Sequence, residues 1–268
     1  VPDPIPFKDQ IGKDQIGKEN IVKEQLVKEP IVKKKSPESS VKVTQASKVS
    51  SHVHNVSIHL LTALARPVLP GGYWQANART GDDNKTLNLT YDDGPNPATT
   101  GGLLELLDRE GIKATFFFIG ENIQRHPELV EEVFKNGHTV GNHSLSHPFM
   151  PTLSRARMTV EIDETNRLIE EITGHKPTLF RPPYGIIDGR GAQILAERRM
   201  TAVYWGAVTQ DWRNIGEKAV VEHIIKRLPV APLIVMHEGD EIADQCLKAT
   251  ATIIARVKQM GYKFGAIK

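Results

Sequence analysis

Cysteine is nearly absent. Cys246 stands alone among 268 residues, which excludes an intramolecular disulfide framework and any multi-thiolate zinc site and leaves the redox compartment open. Long apolar runs are missing too, and no window approaches the ~18 uninterrupted apolar residues of a membrane span. Neither sign of charge dominates. The balance is 34 basic against 32 acidic residues, a net charge of +2, too small to argue for a nucleic-acid partner. No G-x-S-x-G elbow occurs, which counts against a serine hydrolase of the α/β class. The chain opens Val1-Pro2-Asp3 with neither methionine nor a charged-then-apolar leader. It therefore reads as a processed or recombinantly trimmed chain, and any export signal would lie outside it. The remaining composition, 39% hydrophobic and 25% charged, is ordinary for a globular protein. At roughly 150 residues per domain the length suits one large domain or two small ones.

Residues 1–50 carry ten lysines, seven acidic residues and one aromatic, Phe7. A five-residue repeat runs through them: Lys8–Gly12, Lys13–Gly17, Lys18–Val22, Lys23–Val27 and Lys28–Val32. A period of five places successive apolar residues about 140° apart on a helix and on alternate faces of a strand, so it fits neither. The stretch is expected to be an extended, solvated, low-complexity spacer. Gly12 to Lys18 mimics a phosphate-binding loop, but Glu19 stands where Ser or Thr would hold magnesium, and the match follows from the repeat itself. Residues 51–85, with His52, His54 and His59 among Val53, Val56 and Ile58, are expected to form an accessory strand or hairpin rather than a metal site.

From residue 86 the pattern alternates. Apolar or β-branched runs predict strands over 86–91, 113–119, 138–141, 178–180, 201–205, 233–236 and 262–265. Amphipathic stretches between them predict helices over 97–110, 154–172, 189–199, 216–228 and 242–257, with Ser154 as a cap. Seven strands each joined by one helix favour an α/β barrel over an open doubly wound sheet. Residues 86–268 form the expected catalytic domain.

The chemistry-bearing residues fall at the C-terminal ends of these strands, where parallel α/β folds place active sites. Thr90-Tyr91-Asp92-Asp93-Gly94-Pro95 ends a strand in a sharp turn that sends two carboxylates in different directions. Read alone, it is equally an acidic turn with no chemistry. His143 and His147, four apart in Gly141-Asn142-His143-Ser144-Leu145-Ser146-His147-Pro148, lie on one face if the segment makes a helical turn. Two imidazoles and a carboxylate leave zinc an open position. Phe180-Arg181-Pro182-Pro183-Tyr184-Gly185 withholds two amide donors, which makes the Tyr184 N–H the first free one in a rigid turn. Asp211-Trp212 follows the fifth strand. Val235-Met236-His237 ends the sixth, and a histidine beside an aspartate is a good proton donor. Cys246 reads as packing. The N-x-[ST] triplets at Asn55, Asn84, Asn88 and Asn142 read as chance.

Taken in order, T-[FY]-D-D-G-P, H-[ST]-x-x-H, R-P-P-Y-G, x-x-D-W and the strand-ending histidine resemble the polysaccharide deacetylases, the NodB-homology or carbohydrate esterase family 4. The resemblance covers about residues 85–268. It implies a distorted (β/α)7 barrel and removal of acetyl groups from N-acetylglucosamine units of a peptidoglycan or chitin-like chain. It implies one divalent metal ion, zinc before cobalt or manganese, held by Asp93, His143 and His147. By the same resemblance Asp92 is the general base and Arg181 orients it. His237 is the general acid, and Asp211 tunes it. Tyr184 supplies an oxyanion donor through its backbone, with Trp212, Val235 and Pro182 shaping the pocket. Tyr91 replaces a commoner phenylalanine, Val235 a commoner leucine, and Val208 stands where many members have aspartate. The Asp-Asp-Gly-Pro form resembles members acting on N-acetylglucosamine.

The expected partner is an N-acetylated poly- or oligosaccharide, with no nucleic acid and no integral membrane segment. The expected location is secreted, periplasmic or envelope-associated, with residues 1–50 as a possible envelope anchor. The rival readings are a metal-dependent hydrolase of a small non-sugar amide and a carbohydrate-binding pseudoenzyme.

Overall fold

A computed structural model of the chain describes residues 85–206, 209–228 and 233–267. The repeat tail, the histidine-bearing segment before Lys85, Asn55, Asn84 and Val208 lie outside the described residues.

Seven parallel strands alternate with helices. β1 (Thr86–Asp92) leads to α1 (Thr100–Arg109), and β2 (Thr115–Phe118) leads to α2 (Gly120–Arg125) and α3 (Pro127–Lys135). β3 (Thr139–Asn142) precedes α4 (Arg155–Thr173), β4 (Leu179–Phe180) precedes α5 (Gly189–Glu197), and β5 (Thr201–Ala202) precedes α6 (Glu217–Arg227). β6 (Leu233–His237), α7 (Ala243–Gln259) and β7 (Lys263–Gly265) complete the order. The spatial order is β5-β4-β3-β2-β1-β6, with β7 paired to the start of β1.

β2 and β6 are nearly continuous buried runs because both faces are covered. All four residues of β2 are buried, as a parallel sheet wrapped in helices requires. Each fully buried Leu, Ile or Phe adds ~1.5–3 kcal/mol, and the main core gathers such residues from β1, β2, β6, α1 and α7.

Two departures from the sequence reading have local causes. The connection from β2 to β3 holds two helices, not one, since Pro127 lacks a backbone N–H and opens a new helix at its first position. β4 and β5 shrink to two residues each, and β4 stops at Phe180 because Pro182 and Pro183 cannot extend a ladder. The segment that follows β5 joins the curled sheet to β6. The Gly206 N–H donates to the Leu233 carbonyl at 3.2 Å, and Thr209 Oγ1 donates to the Val235 carbonyl at 3.2 Å. The result is a distorted barrel of the expected class.

The helix signals act as read. Ser154 accepts from the Arg157 N–H at the start of α4, and Gly174 ends that helix with φ 72°, a conformation glycine adopts without penalty. Tyr91, Val235 and Cys246 are buried in packing positions. Asn142 is fully buried and donates to the Ile162 carbonyl and to Asn166, so it is no glycosylation acceptor.

Candidate active site

The register of the sheet brings the motifs to one level. Asp92 lies directly opposite His237 across β1–β6 and opposite Phe117 across β1–β2, while Gly141 pairs with Phe117 and Asn142 with Phe180. His143 and Arg181 therefore leave adjacent strands at the same height as the Asp92–Asp93 turn.

Five of the six non-glycine residues with left-handed φ among the described residues lie in these motifs: Asp93 (71°), Ser144 (68°), His147 (54°), Tyr184 (58°) and Gln210 (58°). Each such residue costs about 1–2 kcal/mol relative to ordinary backbone, so the surrounding hydrogen bonds must over-determine these turns. At the first turn, Asn122 Nδ2 donates to the Asp93 carbonyl at 2.7 Å, and the Ile119 N–H donates to the Gly94 carbonyl at 2.9 Å. Position 94 has no room for a side chain, since a Cβ there would lie 2.0 Å from Glu238 Oε1 and 2.9 Å from the Phe118 ring.

The turn sends its two carboxylates apart. Asp92 is buried and accepts from Arg181 Nη1 at 2.6 Å. Arg181 is itself fully buried, also donates to Thr90 Oγ1 at 2.7 Å, and lies 4.1 Å from the centre of the Phe117 ring. Burying either ion alone costs several kcal/mol, so each charge depends on the other.

Asp93 turns the other way, toward two imidazoles. Its Oδ1 is 3.4 Å from His143 Nε2 and 3.5 Å from His147 Nε2, and it has no hydrogen-bond partner although it is buried. The three ligand atoms lie within 4.8 Å of one another. Separations near 3.4 Å are long for hydrogen bonds. They match the edges of a tetrahedron whose centre is ~2.0–2.1 Å from N and O ligands. His143 Nδ1 lies 2.7 Å from the Arg181 carbonyl. That contact requires a proton on Nδ1, so in the neutral ring it is the Nε2 lone pair that points toward Asp93, an orientation that backbone carbonyls commonly impose on metal-binding histidines. The donor set therefore fits a divalent metal ion.

Burial and the neighbouring His143 push the His147 pKa down to about 4, so this ring is neutral at neutral pH. Burial opposes the charge of Asp93, but His143, helped by His237 and His147, holds its carboxyl well below the usual range. The two histidines do not sit on a helical turn as their spacing suggested. Left-handed residues at Ser144 and His147 fold the segment back instead and bring the rings to 4.9 Å between centres.

On the other flank, Asp211 Oδ2 accepts from the His237 backbone N–H at 2.6 Å, and its Oδ1 meets His237 Nδ1 at 2.9 Å. Asp211 is held by a short hydrogen bond from Thr209 Oγ1, and its own carbonyl accepts from Gln245 Nε2 at 2.7 Å. Burial alone would lower the His237 pKa. The Asp211 carboxylate outweighs it, with Asp93 and Asp92 adding, and the ring is pushed up to about 9.

Tyr184 occupies a single 3-10 turn directly after the two prolines, with its ring 4.8 Å from that of His147. Pro182 is buried. Trp212 packs edge-on against His237 at 5.2 Å and is 42% exposed. Phe149 is equally exposed and approaches Tyr184 at 6.1 Å. Aromatic side chains thus stand on both flanks of the mouth.

Sequence reasoning missed Glu238, next to His237. It is buried, its backbone N–H donates to the Asp92 carbonyl at 2.9 Å, and its Oε2 accepts from Thr99 and Thr100 at the start of α1. Burial raises its pKa to about 7. Phe149 and Thr90 were also missed. The signal for Glu238 was present, since a carboxylate directly after an apolar strand ending in histidine has no ready exit to solvent.

A family model described as polysaccharide deacetylase matches residues 79–203. The peptidoglycan-N-acetylglucosamine deacetylase of Bacillus cereus is 32% identical over 205 residues, covering 75% of this chain and 94% of that protein. The peptidoglycan-N-acetylmuramic acid deacetylase PdaC of Bacillus subtilis is 36% identical over 181 residues, covering 68% of this chain. The chain spans only 38% of the length of PdaC. Among solved structures, a family 4 carbohydrate esterase from Streptomyces lividans in complex with acetate superposes with a TM-score of 0.64 at 34% identity, covering 69% of this chain and 94% of that one.

Proposed function

The chain belongs to the polysaccharide deacetylase family, and on that premise we propose that it removes N-acetyl groups from N-acetylglucosamine units of a peptidoglycan or chitin-like glycan and releases acetate. One observation carries the reading. Asp92, paired with Arg181, and His237, paired with Asp211, face each other across β1–β6 beside an Asp-His-His cluster of metal-ligand spacing. A proton acceptor and a proton donor on either side of such a cluster suit hydrolysis of an amide.

Asp93, His143 and His147 would hold one divalent ion, and the oxygen–nitrogen–nitrogen donor set with an open position favours zinc, though it also accepts cobalt and manganese. When bound, the ion supplies Lewis acidity toward the acetyl carbonyl and the attacking water. Asp92 takes the proton from that water as it attacks, and Arg181 holds the carboxylate aimed. The backbone N–H of Tyr184 supports the developing oxyanion. His237, with its Nδ1 proton engaged by Asp211, passes the proton on Nε2 to the departing amine, so the sugar leaves as a free amine and the acyl group as acetate. Phe149, Tyr184 and Trp212 offer ring faces suited to the apolar faces of sugars.

Such glycans are found outside the membrane, which favours a secreted or envelope location. Residues 1–50 then serve as a low-complexity spacer ahead of the catalytic domain in sequence. In the proposed division, residues 51–85 are an accessory segment and residues 86–268 carry the chemistry. The test is acetate release from N-acetylglucosamine oligomers alongside metal content. Asp93→Ala and His147→Ala should each lose both. Full metal occupancy in either variant would overturn the ligand set.

A further inference from the structure

The loop that carries His143 and His147 is anchored by a residue far from it in sequence. Glu161, in the second turn of α4, is fully buried. Its Oε2 accepts from the Leu145 N–H at 3.0 Å and the Ser146 N–H at 2.9 Å, and its Oε1 accepts from Ser146 Oγ at 2.9 Å. Arg157, one turn earlier on the same helix, meets Oε1 at 2.9 Å with its side chain 53% exposed. The carboxylate thus grips the two residues between Ser144 and His147, both of which have left-handed backbone.

The other contacts of this loop reach two of its carbonyls and the His147 amide. The Gly120 N–H donates to the Ser144 carbonyl and the Glu121 N–H to the Leu145 carbonyl, each at 2.9 Å. Ser144 Oγ accepts from the His147 N–H at 3.0 Å. Carbonyls are thus held by the start of α2 and amides by Glu161. Without the carboxylate, two N–H groups in the middle of a left-handed turn lose their acceptor.

We propose that Glu161 is a positioning residue for the Asp93–His143–His147 cluster. It fixes the 144–147 turn through the Leu145 and Ser146 amides, so that His147 Nε2 is already opposite Asp93 before an ion arrives. The proposal rests on the reading that this cluster holds a divalent ion. Of the three ligands, His143 is anchored by the Arg181 carbonyl and Asp93 by the Asn122-braced turn. His147 is the ligand whose backbone depends on the Glu161 clamp. Outer-shell partners of this kind typically change metal affinity by 10–100-fold when removed.

The measurement is zinc affinity of the full chain by competition with a chromophoric chelator, with thermal unfolding of the metal-free protein recorded alongside. Glu161→Ala is expected to weaken zinc binding about 10–100-fold, with kcat returning toward wild type at saturating zinc. Glu161→Gln keeps one carbonyl oxygen for the two amides and should restore part of that affinity. Arg157→Ala, which removes only a half-exposed partner, should stay within about threefold of wild type. A packing role alone would lower the unfolding temperature and leave zinc affinity unmoved. Folded Glu161→Ala with wild-type affinity therefore overturns the proposal. Should the alanine variant not fold, Glu161→Gln with unchanged affinity overturns it equally, as does Arg157→Ala weakening zinc as much as the Glu161 variants. A wild-type chain that takes up no zinc, cobalt or manganese overturns the metal reading itself, and the proposal with it.

Discussion

Asp211 is where a single substitution tests the acid–base assignment most sharply. Its two oxygens do separate work, one accepting the His237 backbone N–H at 2.6 Å and the other meeting His237 Nδ1 at 2.9 Å. Asparagine offers one acceptor oxygen and cannot serve both; alanine serves neither. Burial by itself lowers the His237 pKa, and it is the Asp211 carboxylate that carries it from the ordinary 6.5 to about 9. Removing that charge should return the ring to 6.5 or below, a loss of about 3 kcal/mol in its preference for the imidazolium.

The sign follows from the role. A general acid must be protonated, so activity is lost as pH rises through its pKa. In the wild type that alkaline limb falls at or below about 9, since a bound cation opposes the imidazolium. In Asp211→Asn and Asp211→Ala the limb should move to lower pH. For pKa values of about 9 and 6.5, the imidazolium fraction differs roughly tenfold at pH 7.5 and approaches a hundredfold difference at pH 8.5. The asparagine variant should also lose rate at its optimum through the misplaced ring, but only the charge effect moves the limb. The assay is kcat/KM for acetate release between pH 5 and 10. An alkaline limb that stays in place in both folded variants would refute His237 as the acid.

Three further outcomes are expected. Asp92→Asn should lower kcat by about 10²–10⁴ with metal content unchanged, the range for one positioned acid–base group; near-wild-type acetate release would exclude Asp92 as the base. Gly94→Ala should destabilise the fold by about 1–3 kcal/mol in thermal unfolding, because the added Cβ meets Glu238 Oε1 at 2.0 Å and the carboxyl beneath has little room to yield; an unchanged melting temperature would show that the turn gives way freely. Phe149→Ala should raise KM for oligosaccharides by a few-fold to about tenfold, the equivalent of one ring contact of ~0.5–1.5 kcal/mol, with kcat little changed; equal KM values would remove Phe149 from the binding surface.

Most of the fold is legible because short β-prone runs alternate with amphipathic helices, and burial on both faces of β2 and β6 leaves little ambiguity about where the core lies. Legibility fails where one residue changes the backbone. Pro127 splits a connection into two helices, and Pro182 and Pro183 cut β4 to two residues. The motif residues converge through sheet register, which strand order alone implies. The details of convergence do not follow from spacing. His143 and His147 meet through left-handed residues, although a four-residue interval reads as helix. Braces are the least visible part. Glu161 lies on an amphipathic helix, where a carboxylate beside Arg157 reads as a solvated ion pair, and only the fold reveals that its acceptors face the loop carrying His147.

The most direct measurement is acetate release by the wild-type chain, supplied with zinc, from N-acetylglucosamine oligomers and from peptidoglycan. The two relatives, named for N-acetylglucosamine and for N-acetylmuramic acid, make the choice of sugar part of the assay. Acetate is expected in proportion to N-acetylglucosamine units converted to free amine, abolished when the metal is stripped and restored when it is returned. A chain that holds one equivalent of metal yet releases no acetate from any N-acetylated glycan would contradict the proposed function.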